Sequence, residues 1–273
     1  MKRFSIIVIV ACWICDLTAQ NVLFSNPISL SMAECNASLV NEWSAQTNSA
    51  GISRIKDYSF AIMYESRYNL EELSTKGMTA LIPTKYGTLG ATLLQFGYSD
   101  FHTIRGAISY SRMFGENFSA GFQINYWSDY IRTSGNYYTI ISDIGIIYDL
   151  NTQFTIGIHL FNPEQSSIKY TAYQATIPGI ITLAAEWNFV KNSFFIVEMD
   201  KTFTEKPDIA VATEVVITKP LSGRIGYSPT REKISGGIRV GLKQLKIDLG
   251  FLHQQPLGLI SSISVAYKIP SKH

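Results

Sequence analysis

The chain reads as an all-β protein: a transmembrane antiparallel up-and-down β-barrel of about fourteen strands with an N-terminal plug or hatch segment. Three observations predict it. A cationic, apolar leader opens the chain, the remainder alternates apolar and polar residues over segments of about ten, and short connections alternate with longer ones.

The leader occupies residues 1–19. Met1-Lys2-Arg3 supplies the positive start, and Phe4 to Ile14 is an apolar run shorter than the roughly 20 residues of a spanning helix. Leu17-Thr18-Ala19 then offers small residues for cleavage, leaving Gln20 as the new N-terminus. A second reading is a lipoprotein signal, because Ile9-Val10-Ala11-Cys12 has the small-residue-then-Cys pattern that would make Cys12 the acylated residue. Either signal exports the chain, and the expected destination is the outer membrane.

With the leader removed from 273 residues, about 254 remain, enough for one large barrel. Net charge is only +2 and the cations are scattered, so no nucleic-acid partner is expected. Cys12 and Cys15 fall in the leader, so Cys35 would be the only mature cysteine, a small packed residue with no disulfide partner.

Residues 20–56 do not alternate. Asn26-Pro27, the small polar run Ser31 to Val40 and Asn48-Ser49-Ala50-Gly51-Ile52 precede the first strand, and such a segment could fold into a lumen as a periplasmic plug.

The barrel is expected over 57–273. Candidate strands lie near 57–65, 73–83, 86–98, 101–113, 117–131, 138–149 and 153–162, then 178–189, 193–202, 206–217, 220–228, 231–242, 244–253 and 259–269. The alternation is cleanest where Phe154, Ile156, Ile158 and Leu160 share one face against Thr155, Gly157 and His159. Connections such as Thr84-Lys85, Asn151-Thr152 and Lys243 are short, whereas Ser66–Glu72, Arg132–Tyr137, Pro163–Ile177 and Gln254–Gly258 read as longer loops on the opposite rim. An even strand number puts both chain ends on the short-turn rim.

A soluble sandwich would hide its apolar face under a second sheet, whereas a barrel in lipid turns that face outward. Aromatics near the strand ends favour lipid: Phe118, Phe154, Trp187, Phe195 and Tyr267 towards the short turns, Tyr64, Tyr126, Tyr227 and Phe251 towards the longer loops. The opposite face carries Gln123, Asn125, Glu186, Glu198, Glu214, Arg224, Arg239, Lys246 and Asp248, which a wet or plugged lumen with paired charges accommodates. The carboxylates among Glu186, Glu198 and Glu214 are expected to pair with Arg224 and Arg239.

Several short motifs then align. Met32, Asn36-Ala37-Ser38, Trp43 and Asn48-Ser49-Ala50-Gly51-Ile52, with Phe114-Gly115-Glu116 and Phe161-Asn162-Pro163 further on, give a pattern that resembles the PorV/PorQ-type outer-membrane proteins of the Bacteroidetes, relatives of the FadL long-chain fatty-acid transporters. The resemblance implies a plug or hatch motif at Met32, Asn36, Ala37, Ser38, Trp43, Asn48, Ala50 and Gly51. Glycines usual around the methionine are replaced here by Ser31, Ala33 and Glu34, and the chain is much shorter than the FadL transporters.

Enzymatic motifs are absent. The four histidines have no zinc-ligand spacing, and there is no phosphate-binding loop and no nucleophile elbow. No cofactor is expected. The resemblance implies a non-enzymatic type IX secretion accessory or structural membrane protein. Alternatives are a FadL-like channel for hydrophobic small molecules and a general diffusion porin. Expected partners are outer-membrane lipid and either secretion-system components or a hydrophobic ligand.

Overall fold

The computed structural model describes residues 24–203 and 205–271; the leader, with Cys12, lies outside them. Fourteen strands form one closed sheet. They are β1 (Tyr58–Arg67), β2 (Leu70–Thr84), β3 (Gly87–Gly97), β4 (Phe101–Phe114), β5 (Phe118–Ile131), β6 (Gly135–Asp149) and β7 (Phe154–Phe161), then β10 (Ile180–Val190), β11 (Ser193–Thr202), β12 (Asp208–Thr218), β13 (Leu221–Ser228), β14 (Lys233–Leu242), β15 (Leu245–Gln254) and β16 (Gly258–Ile269). The two short strands β8 (Ser167–Lys169) and β9 (Gln174–Thr176) form a separate hairpin. Every barrel strand pairs antiparallel with its neighbours in sequence, and β1 closes on β16 from Tyr58↔Ile269 to Arg67↔Ile260. Closure leaves no unpaired sheet edge.

All fourteen expected strands are present. The largest extensions are at the starts of β2 and β6, where Leu70 pairs with Arg67 and Gly135–Tyr137 pair with β5. The expected long loop at Ser66–Glu72 is instead the two-residue turn Tyr68-Asn69, with φ of 58° and 57°. Two consecutive positive φ values are the geometry of a tight hairpin, usually marked by Asn-Gly, and Tyr-Asn hides that signal. One loop, 162–179, is long, and it contains the β8–β9 hairpin.

The pleat separates two faces. Along β1 the odd residues Ser59, Ala61, Met63 and Glu65 are buried, while Phe60, Ile62 and Tyr64 are exposed. The same alternation exposes Ile124, Tyr126, Leu183, Trp187, Ile225 and Ile263 on the outer wall. The expected outward aromatics are there: Phe154, Trp187 and Phe195 occupy adjacent strands, and the Phe154 and Trp187 rings stack at 6.3 Å. A wall that turns large apolar residues outward and serines, threonines and charges inward is one built for lipid. No helix among the described residues is long and apolar enough to cross a membrane; this chain crosses with strands.

Candidate functional site

The interior of the barrel is occupied by residues 24–56. Nearly all are buried, and they run from Phe24, whose ring lies 5.6 Å from Trp127 near the long-loop rim, to Ile55 and Lys56 beside the start of β1. Secondary structure in this stretch is slight. Asn26 caps the one-turn helix α1 (Pro27–Leu30), accepting from the amides of Ile28 and Ser29, and Asn48 caps a 3-10 turn at Ser49–Arg54 in the same way. Successive turns satisfy much of its backbone from within, as in Leu30 to Asn26, Ser44 to Asn41 and Gly51 to Asn48, and the barrel wall receives several of the amides that remain.

Room for it comes from inward-facing glycines. Gly90, Gly121, Gly145, Gly157, Gly226 and Gly250 each abut a residue of the segment. At Gly121 a Cβ would lie 2.5 Å from the carbonyl carbon of Ser49, and at Gly226 it would meet the backbone of Met32. A larger residue at Gly121, Gly157, Gly226 or Gly250 displaces backbone, so these glycines set how closely segment and wall approach.

Polar contacts then fix the orientation. Glu198 Oε2 accepts from the backbone amides of Asn36 at 2.9 Å and Ala37 at 2.8 Å, and Ser38 donates to Glu186 at 2.9 Å. Asn48 donates to the carbonyl of Ala37 at 2.6 Å and that of Ile158 at 3.1 Å, tying the two halves of the segment to β7. Ala33 donates to Ser235 at 2.7 Å. Three ion-pair groups complete the attachment: Glu34 with Lys233, Glu42 with Lys246 at 2.7 Å and Lys268 at 3.2 Å, and Arg54 with Asp149 at 2.5 Å. Burial pushes the Glu34 carboxyl up, but the Lys233 ammonium outweighs it and holds the pKa at about 2. Glu42 is likewise raised by burial and drawn well below the usual carboxylate range by Lys246, Arg239 and Lys268.

The remaining lumen charges form their own network. Arg224 lies 2.6 Å from Glu214 and 2.7 Å from Asp248, and Arg239 lies 2.9 Å from Asp248. Glu214, Arg224, Arg239, Lys246 and Asp248 thus come together as one patch on β12–β15. The expectation that Glu186 and Glu198 pair with these arginines is corrected. Both carboxylates sit two strands or more away and accept hydrogen bonds from the N-terminal segment instead.

The other motif residues have specific places. Met32, Ala37, Asn48 and Ala50 are fully buried, and Trp43 is nearly so. A Cβ on Gly51 would lie 2.8 Å from Ser44 Oγ. Cys35 is buried, and burial raises its thiol pKa well above the ordinary value. Glu34, Glu42 and Arg54 went unread as site residues. Their signal is that they are the only charged side chains in an otherwise small and apolar or polar-neutral stretch from Phe24 to Ile55.

Towards the long-loop rim an apolar cluster sits beside buried charges, with the Arg105 guanidinium 5.5 Å over the Phe161 ring and 3.2 Å from Asp143. Phe96, Trp127, Phe161 and Ile180 cluster with Phe24, and the 162–179 loop folds onto them, burying Ile168 and Ile177. The loop is held by Tyr170, which donates to the buried carboxylate of Asp129 at 2.5 Å, and by Asn162, whose amide donates to Ile177 at 2.5 Å. Two cavities flank the segment. A small one of about 70 Å³ lies beneath the apolar cluster, against Phe24, Asn36, His159 and Asp200. A wide one of about 760 Å³ opens at the short-turn rim, bounded by Ser38, Val40, Glu186, Phe194 and Arg239.

No known family profile matches the chain, and no curated protein matches it. Solved structures do. The toluene transporter TodX of P. putida superimposes with a TM-score of 0.69 at 10% identity, covering 90% of this chain and 99% of that one. The toluene transporter TbuX of Ralstonia pickettii gives 0.65 at 10% identity over 92% and 99%. A FadL homologue of Pseudomonas aeruginosa gives 0.63 at 12% identity over 89% and 98%. At such identities the likeness establishes the fold alone, in which the fourteen-stranded barrel of this chain superimposes on these proteins.

Proposed function

We propose that this chain is an outer-membrane channel for small hydrophobic molecules, with residues 24–56 serving as its hatch. The observation that carries the reading is the change of character along the lumen. A polar, hydrogen-bonding interior gains on the long-loop side of the segment the cluster Phe24, Phe96, Trp127, Phe161 and Ile180, apolar surface of the kind that a hydrophobic guest requires, flanked by Arg67 and Arg105. Transport of toluene by the structural relatives TodX and TbuX points to the same class of cargo.

The alternatives fare less well against the geometry. A general diffusion porin needs an open polar channel, and here the N-terminal segment is packed against strands on opposite sides of the lumen. A secretion accessory needs a docking surface on its loops, whereas the one long loop folds inward and buries Ile168. The PorV/PorQ-type motifs of the segment are equally suited to a hatch.

Uptake of a radiolabelled monoaromatic into proteoliposomes tests the proposal. Faster uptake than in protein-free vesicles, with no acceleration of a sugar of similar mass, is expected. Equal acceleration of both would point to a porin, and acceleration of neither would sink the channel reading.

A further inference from the structure

We infer that the gate of this lumen is not the whole N-terminal segment but the strip Asn36–Ser38, latched by Glu198 and Glu186. The inference deepens the channel reading and rests on it for its cargo, though not for its test.

Register across β7, β10 and β11 shows how the gate is built. Three inward-facing rows are stacked along the barrel axis. The row His159–Thr182–Asp200 borders the small upper cavity. The middle row is Gly157–Ala184–Glu198, in which Ala184 pairs with both neighbours. The lower row begins Thr155–Glu186 and borders the wide cavity at the short-turn rim. Asn36, Ala37 and Ser38 lie across the middle row, because Gly157 admits the backbone of Ala37 and Glu198 receives the two amides. Asn36 borders the upper cavity and Ser38 the lower one, so against β7, β10 and β11 this strip stands between them, while Ser29 and Ile28 of α1 likewise border one cavity each.

The strip is held by hydrogen bonds alone, to Glu198, to Glu186 and from Asn48 to the Ala37 carbonyl at 2.6 Å, where the rest of the segment is held by ion pairs. Elsewhere Glu34, Glu42 and Arg54 are bound to opposite charges on β6, β14, β15 and β16. On β10 and β11 Glu186 and Glu198 offer only hydrogen-bond acceptance. Val40, just beyond the strip, is exposed and faces the wide cavity, into which the loop Asn36–Asn41 can swing without disturbing any of the ion pairs. The geometry therefore joins the two cavities along one side of the lumen by moving a few residues.

Ionic current through single barrels in planar bilayers tests the gate independently of cargo. In a Cys35→Ala background, Ser38→Cys with Glu186→Cys places a disulfide where a hydrogen bond stands. The oxidised protein should be silent and the same molecules should conduct after reduction, which controls for misfolding. Glu186→Ala with Glu198→Ala should raise the open time about tenfold or more, since it removes all three hydrogen bonds that the strip makes to β10 and β11. Current unchanged by reduction and by the double substitution would overturn the inference, as would opening by Arg54→Gln alone. Redox-gated current with no hydrophobic uptake would leave the gate standing and remove the cargo reading.

Discussion

Glu42, buried on the N-terminal segment, shares one carboxylate oxygen between Lys246 on β15 and Lys268 on β16. Removing the carboxylate leaves two ammonium groups close together at the edge of the wide cavity, with their buried counter-charge gone. Glu42→Gln should destabilise the seated segment by about 3–5 kcal/mol, the usual cost of breaking a buried pair from one side. Limited proteolysis of the detergent-solubilised protein would show it, as faster cleavage within 24–56 while the barrel resists.

Acid should have the same effect. Glu34, at about 2, and Glu42, lower still, are both depressed from an ordinary 4.5, so their contribution is complete above pH 4.5. It is lost as pH falls from there through about 2. Deuterium-exchange protection of the amides around Glu34 and Glu42 should therefore hold above pH 4.5 and decline below it. A decline centred near neutrality would contradict the assignment.

Gly121→Leu should expel the segment without opening the sheet. The added side chain would occupy the position of Ser49 and Ala50, and overpacking against backbone costs about 1–3 kcal/mol or more. A barrel that still shifts on boiling in SDS gels, but whose Trp43 fluorescence has moved to the red, is the expected result.

Ala33→Gly should stabilise the closed state. Ala33 has a φ of 52°, in the left-handed region that costs an L-residue about 1–2 kcal/mol. Its only side-chain atom is removed and its amide bond to Ser235 is retained. Slower exchange of the Ala33 and Glu34 amides would verify it; faster exchange would mean that the lost Cβ packing outweighs the strain.

Tyr170→Phe should loosen the loop over the apolar cluster, because it deletes the donor to Asp129 and leaves that buried carboxylate with fewer partners. Association of a fluorescent apolar probe should be several-fold faster than in the parent, on a net cost of about 1.5–3 kcal/mol for a hydrogen bond to a charged group. An unchanged association rate would place the entrance elsewhere.

The wall was readable because a strand in lipid has a strict period of two. Phe154 to Leu160 announce an outward face as plainly as Thr155 to His159 announce an inward one, and the register follows. The turn at Tyr68-Asn69 was hidden because its residues adopt positive φ without a glycine to signal it. Inside the lumen the sequence identifies which residues face inward but not which ones meet, since partners such as Asn36 and Glu198 stand 162 positions apart. Glu186 and Glu198 drew attention as carboxylates in need of cations. What they receive are two backbone amides, the Ser38 hydroxyl and the side-chain amide of Asn188, and of these only Asn188, two residues on along β10, is visible in the local pattern.

The seam between β1 and β16 carries one more implication. Every other pairing in the wall joins strands that are adjacent in sequence or separated by the single 162–179 loop, so it can zip locally; this one must bring Tyr58 to Ile269. The segment leading into β1 touches β3 to β6 through Ser49–Arg54 and β14 to β16 through α1, the two flanks that the seam must unite. Seated, it braces both flanks of that seam from inside, so it adds cross-links where the wall's own pairing spans the longest stretch of chain.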